Sequence, residues 1–134
     1  MTYLLDTNTC INVLRKAGSP RVKARFARHP PADLTLCAPV VEELCTGAER
    51  AVNPKLEFSR VDALVRTMIC LPYDEVTARV AGRVRYGLER QGKKIGVNDL
   101  IIAAIGLVHG LTVVTHNTAE FGRVPGLTIE DWEI

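Results

Sequence analysis

The chain reads as an α/β protein: a short, mainly parallel sheet covered by helices on both sides. Two observations carry that expectation. Short apolar runs alternate with amphipathic helical stretches along the whole length, the pattern of strand–helix–strand units. One helical stretch, 100–108, is apolar all round, as a helix is when it is packed inside a domain. At 134 residues the length suits one domain spanning 1–134.

The elements follow in order. Residues 2–5 form the first strand, an apolar run closed by Asp6. Such a run reads as a buried parallel strand delivering a carboxylate to the sheet rim, where ligands of open α/β sheets gather. Residues 7–17 are expected to be helical, with Ile11 and Leu14 on one face and Gly18 past the end. Ser19 and Pro20 supply the N-cap and first residue of a basic helix reaching Arg28, and Pro30-Pro31 stops it. Residues 34–38 form the second strand, and Pro39 starts a helix carrying Glu42 and Glu43. Residues 54–69 continue helically on Leu56, Val61, Leu64, Val65 and Met68; 69–71 form a third strand before Pro72. In the longest helix, 74–91, Val76, Val80, Val84 and Leu88 recur every four residues and are expected to face the core. Arg79, Arg83, Tyr86 and Arg90 form a separate stripe. A basic loop, 92–96, contains Lys93 and Lys94. Asn98-Asp99 then opens the all-apolar helix, Gly110 ends it, and 111–115 form a fourth strand. His116, Asn117 and a tail with Asp131 and Trp132 follow.

Composition narrows the function classes. Hydrophobic residues at 47% and charged residues at 24% are ordinary for a soluble globular chain. Aromatics at 5% argue against a base-stacking platform as the main mode of nucleic-acid binding. The net charge is only +2, yet basic residues crowd 15–28 and 79–94, which suggests a polyanion-facing surface. The longest apolar run is too short for a membrane span, and with no basic stretch leading into an apolar one near Met1, no signal peptide is expected. The four cysteines show no metal-site spacing and mostly sit in apolar contexts. A reducing, cytoplasmic setting is expected.

Three acids stand out by position: Asp6 after the first strand, Glu42 or Glu43 early in the helix after the second, and Asp99 at the start of the apolar helix. Asn117 follows the fourth strand. If the strands are parallel, all lie near one edge of the sheet. Taken singly, each has a structural role open to it, as a helix cap or a first-turn acid favoured by the helix dipole. Taken together they repel: each pair about 4 Å apart costs about 4 kcal/mol at an effective dielectric of about 20. A divalent cation relieves that repulsion, and oxygen-only ligands suit Mg²⁺ or Mn²⁺. Glu42 and Glu43 point about 100° apart on a helix, so only one of them faces Asp6; spacing does not choose between them.

Four stretches, LLDTN at 4–8, VVEELCTGA at 40–48, GVNDLIIAA at 96–104 and VVTHNTAEF at 113–121, resemble in this order the motifs of PIN-domain ribonucleases, above all the VapC toxins of bacterial toxin–antitoxin pairs. The likeness runs on through VPGLTIEDW at 124–132. It implies a three-layer α/β/α fold with four to five strands, and a metal-dependent endoribonuclease in which Asp6, Glu43 and Asp99 bind Mg²⁺ or Mn²⁺. Glu43 is preferred to Glu42 because Leu44 follows it and Gly47 lies a few positions on. Asn117 falls at a fourth position that is acidic in many members. Thr7 and Thr115 match hydroxyl positions that hold the cluster, with Asn8 beside them. Arg79, Arg83, Arg90, Lys93 and Lys94 would hold the RNA backbone, and His116 would lie near the substrate. The resemblance further implies a homodimer and a VapB-like antitoxin partner; a structured RNA such as tRNA is the substrate to test first. The main alternative is a non-catalytic RNA- or partner-binding module on the same fold. Asp6-Thr7-Asn8-Thr9 also departs from the DxDxT loop of aspartyl-phosphate phosphatases, because Asn8 stands where that loop has its second acid.

Overall fold

In the computed structural model, which describes residues 1–134, five strands form one parallel sheet. They are β1 (Tyr3–Leu5), β2 (Leu34–Cys37), β3 (Ile69–Leu71), β4 (Thr112–Val114) and β5 (Ile129–Glu130), in the spatial order β3-β2-β1-β4-β5. β1 lies at the centre, with Tyr3 opposite Leu34 on one side and Thr112 on the other. Leu4, Leu5, Leu36, Val113 and Val114 are fully buried, as strands covered on both faces must be. The connecting helices are α1 (Thr7–Leu14), α2 (Pro20–Arg28), α3 (Ala38–Glu49), α4 (Pro54–Val65), α5 (Glu75–Arg90), α6 (Val97–His109) and the short α7 (Thr118–Phe121). The chain winds from β1 out to β3, then crosses back to β4 and β5. Right-handed crossovers therefore cover both faces with helices. Winding direction reverses between β1 and β4, so the crevice at their carboxyl ends is the switch point where open α/β sheets place ligands. No helix is long and apolar enough to cross a membrane.

Local chemistry sets the element ends. Asp6, Ser19, Asn53 and Asp74 cap α1, α2, α4 and α5, their side-chain oxygens accepting from the N–H groups of Thr9, Val22, Leu56 and Thr77. Each satisfies a donor that the helix itself leaves unpaired. Gly110 closes α6 in the left-handed region, at φ 65°.

Three expectations need correction. α1 stops at Leu14 rather than 17. The Asn12 side-chain carbonyl accepts the Ser19 N–H at 2.9 Å, and Gly18 passes so close that a Cβ there would sit 1.9 Å from the Asn12 backbone carbonyl oxygen; a tight turn replaces the last helical turn. The helix expected over 54–69 ends at Val65, because Ile69–Leu71 is recruited to pair with β2. On α5, Val76 is 60% exposed, and the buried residues are Thr77, Ala81 and Leu88, with Val80 and Val84 half-buried. A strict four-residue repeat drifts about 40° per step around a helix. The packed line, 77, 81, 84 and 88, alternates steps of four and three and stays against α6.

The core is aliphatic and closed by two aromatics, Phe121 and Trp132, both buried. Trp132 stacks on His29 with centroids 5.3 Å apart and meets Tyr3 edge-on at 5.4 Å. Arg25 on α2 donates to the backbone carbonyls of Asp131 and Ile134, which fastens the C-terminal segment to the domain.

α6 lies flush on β4 because Gly106 has no side chain: a Cβ there would meet Val113 Cγ2 at 2.9 Å and Leu127 Cδ1 at 3.3 Å. Val113 is fully buried and stiff at χ1. Gly106→Ala is expected to destabilise the fold by about 1–2 kcal/mol despite Ala's better helix propensity. Gly82→Ala, which meets open space on α5, is expected to stabilise it by about 0.5–1 kcal/mol. Urea unfolding of both variants checks the pair; a Gly106→Ala protein as stable as its parent contradicts the close packing.

Candidate active site and metal centre

Each acid arrives at the switch point on a different element. Asp6 leaves β1 and caps α1, its Oδ1 accepting the Thr9 N–H at 2.9 Å. It is only 4% exposed. Burial pushes its carboxyl above the ordinary value, hydrogen bonds from Thr115 and Thr9 oppose that, and the charge of Glu43 adds to it. Thr115, fully buried at the end of β4, also accepts the Asn117 N–H on its hydroxyl at 2.9 Å.

Glu43 sits in the second turn of α3, half-buried, and its Oε1 accepts from the Thr7 hydroxyl at 2.7 Å. Glu42 is exposed, so the structure makes the choice that spacing left open. Asp99 lies in the first turn of α6. Burial raises its carboxyl first; the Asn117 amide opposes the shift, and the charges of Asp6, Glu120 and Glu43 add to it. Asp6, Glu43 and Asp99 thus come together around one crevice, with Thr7 and Thr115 bracing two of them. Asn8 is exposed beside them on α1.

Glu120 was not singled out by sequence reasoning. The Asn117 amide donates to Asp99 Oδ2 at 3.1 Å and to Glu120 Oε2 at 2.6 Å, while Glu120 Oε1 accepts the Gly96 N–H at 3.2 Å. Asn117 is therefore a bridge between two acids, and Glu120, three residues on, is the fourth carboxylate of the crevice. The signal was present in Asn117-Thr118-Ala119-Glu120, since residues three apart share one side of a helical turn.

None of these four carboxylates takes part in an ion pair. The donor set is all oxygen. The buried thiols of Cys10 and Cys37 are both raised by burial, Cys37 to about 12, and stay protonated. Hard oxygen ligands without a protein counter-charge fit Mg²⁺ or Mn²⁺. His116, Asp131 and Glu133 are the grouping whose ligand atoms all lie within 4.8 Å of one another; Asp6, Glu43, Asp99 and Glu120 are not gathered that closely, and their crevice adjoins this grouping through Asn117.

The residues expected to hold RNA are divided. Arg79 is in the first turns of α5, bonded to Glu75 at 2.9 Å. Only residues 91–96 join α5 to α6, and the two helices pack against one another, so they run antiparallel. Arg79 thus lies about 16 Å along the axis from Arg90 and away from the crevice. Arg90 rests over the Tyr86 ring at 5.8 Å. Arg83 makes no ion pair. Lys93 and Lys94 border a cavity with Val97 and Leu100, the opening of the helix that carries Asp99.

The PIN domain family model matches residues 3–127. The tRNA(fMet)-specific endonuclease VapC of Salmonella typhimurium is 33% identical over 132 residues, covering 98% of each chain. A ribonuclease VapC of Haemophilus influenzae is 32% identical with the same coverage. Among solved structures, the DNA-bound VapBC of Salmonella typhimurium superimposes with TM-score 0.91 at 34% identity, covering 98% of each chain. FitAcB of Neisseria gonorrhoeae also gives 0.91, at 28% identity and 98% coverage of each chain. A family match across nearly the whole fold, joined to VapC relatives above 30% identity end to end, makes this chain a member of the PIN domain family, of the VapC type.

Proposed function

We propose that the chain is a metal-dependent endoribonuclease and the toxin of a VapBC-type toxin–antitoxin pair, acting on structured RNA such as tRNA in the cytoplasm. One observation carries the reading: Asp6, Glu43, Asp99 and Glu120 share a crevice at the switch point, none of them in an ion pair. The relatives named as ribonucleases and as a tRNA(fMet)-specific endonuclease support the substrate class. The VapBC complexes among the structural neighbours support a VapB-like antitoxin as partner, and a homodimer accords with the family resemblance. An antitoxin arginine is a fitting plug for such a crevice, since guanidinium pairs with carboxylates.

Asp6, Glu43 and Asp99 would hold Mg²⁺ or Mn²⁺, which would supply activation of a water and charge compensation at the scissile phosphate. The chain's own groups set the geometry. Thr7 and Thr115 hold Glu43 and Asp6 in place, and Asn117 fixes Asp99 and Glu120 relative to one another. Lys93 and Lys94 hold the RNA backbone, contacts that position a strand without reading its sequence.

Asp99→Asn is expected to lower tRNA cleavage by about a hundredfold or more while the circular dichroism spectrum stays unchanged; retained activity overturns the metal-site assignment. Chelation with EDTA should stop cleavage and added Mn²⁺ restore it. Removing a carboxylate should also stabilise the metal-free protein. Asp99 carries a raised folded pKa, so its contribution to stability is fully present below the ordinary value of 3.8 and is lost as pH rises through the folded value. The advantage of Asp99→Asn in thermal unfolding without metal should therefore be largest at neutral pH and vanish below about 3.8. Mn²⁺ should raise the unfolding midpoint of the parent more than that of the variant.

A paired change, Lys93→Ala with Lys94→Ala, should flatten the log–log salt dependence of RNA binding by about 1.4, at roughly 0.7 per single-strand phosphate contact. Arg79→Ala should leave the slope unchanged. Anisotropy titrations across salt distinguish these outcomes.

A further inference from the structure

His116 follows Thr115 at the end of β4, but its partners lie in the C-terminal segment. Its Nδ1 sits 2.9 Å from Asp131 Oδ2 and 3.5 Å from Glu133 Oε2. Asp131 is held firmly. Its other carboxylate oxygen accepts the Glu133 N–H at 2.9 Å, its backbone carbonyl accepts from Arg25 at 3.2 Å, and its side chain is 9% exposed. The imidazole is 60% exposed, and Nε2 makes no hydrogen bond within the chain. A fixed, largely covered carboxylate therefore aims a solvent-facing ring, the arrangement that sets which nitrogen of a histidine is presented outward.

The ring lines a cavity of about 520 Å³ shared with Asn8, Asn12, Arg15, Asn117 and Glu133. Asn117 belongs to this cavity and to the acid crevice alike, so the two adjoin. Arg15 and Asn8 are exposed, and Arg15 has no ion-pair partner. The opposite situation holds on α5, where Arg79 and Arg85 are bonded to Glu75 and Glu89.

We propose that His116, oriented through Nδ1 by Asp131, contacts a backbone phosphate of the RNA through Nε2, and that the groove beside α1 carries the strand away from the acid crevice. This rests on the endoribonuclease reading and adds to it a path for the substrate and a positioning role for Asp131. The hydrogen bond to Asp131 and the charges of Asp131, Glu133 and, from the end of β1, Asp6 raise the imidazole above its ordinary value; Arg15, just past α1, is the cation on the other wall. An imidazolium donates from both nitrogens, one to Asp131 and one outward.

The test is tRNA binding by fluorescence anisotropy, with unfractionated tRNA, Mg²⁺ and an Asp99→Asn background that blocks cleavage. At pH 6, His116→Ala is expected to weaken binding about tenfold, the worth of a charge-assisted hydrogen bond. It should also reduce the salt slope by about 0.7. Both differences should shrink as pH rises and the imidazolium is lost. His116→Lys, which keeps a cation, should bind more tightly than His116→Ala and lose the pH dependence. Asp131→Asn should move the fall in affinity to lower pH, a shift that a purely structural role for Asp131 would not produce. Binding by His116→Ala equal to the parent at every pH overturns the proposal, and so does equal weakness of the Ala and Lys variants. If the wild-type chain still cleaves tRNA, the ribonuclease reading survives that result; absence of both cleavage and binding overturns the two together.

Discussion

Four carboxylates meet where β1 and β4 end, and none of them is paired with a lysine or arginine of the chain. That unbalanced charge is the constraint around which the rest of the domain is arranged. Burial is the main cause that raises the carboxyls of Asp6 and Asp99, and the like charges of their neighbours add to it. A domain of this size has only about 5–15 kcal/mol of net stability. Such a crevice needs a stiff scaffold beneath it, and a divalent cation held there would offset the repulsion.

The stiffness begins with β1, flanked by β2 and β4 and buried through Leu4 and Leu5. Side chains in a strand alternate faces, so a one-residue slip of β1 would bury the wrong set and swing Asp6 out of the crevice. Capping adds a second lock. Asp6 satisfies a donor of α1 and gains from the positive end of that helix, while Asp99 occupies the first turn of α6. Both acids thus stand where a helix dipole partly offsets a negative charge. The polar groups between them are neutral: Thr7, Thr115 and Asn117 donate hydrogen bonds without cancelling the charge a metal needs.

Packing on the far side of the sheet serves the same end. Gly106 lets α6 press against Val113, which sets the depth at which Asp99 enters the crevice. The C-terminal segment, pinned by Trp132 in its aromatic stack and by Arg25, carries Asp131 to His116. A tail that would otherwise fray becomes a wall of the site. The basic residues divide accordingly. On α5, Arg79 and Arg85 are absorbed by glutamates one turn away, whereas Lys93, Lys94, Arg15 and His116 flank the crevice at its two ends.

Much of this was legible in the amino-acid order. Asp6 after an apolar run, Asp99 opening an apolar helix and Asn117 after the fourth strand are signals carried by a few neighbouring residues, and alternation of strands and helices is enough to gather them at one edge of a parallel sheet. What stayed hidden depends on orientation between elements. Glu43 rather than Glu42 faces the site because α3 docks with that side toward Thr7. Glu120 joins it because a one-turn helix folds back over Gly96. Val76 leaves the core because α5 meets α6 along Thr77 and Ala81. Arg79 is remote because the two helices run antiparallel. Sequence by itself determined which residues end strands and begin helices, since those preferences arise from local hydrogen bonding and apolar period. Only the tertiary structure decided which side chains share a crevice, because rotation of a helix about its axis is set by the shape and area it buries against its neighbours, and that is a property of the pair rather than of either segment.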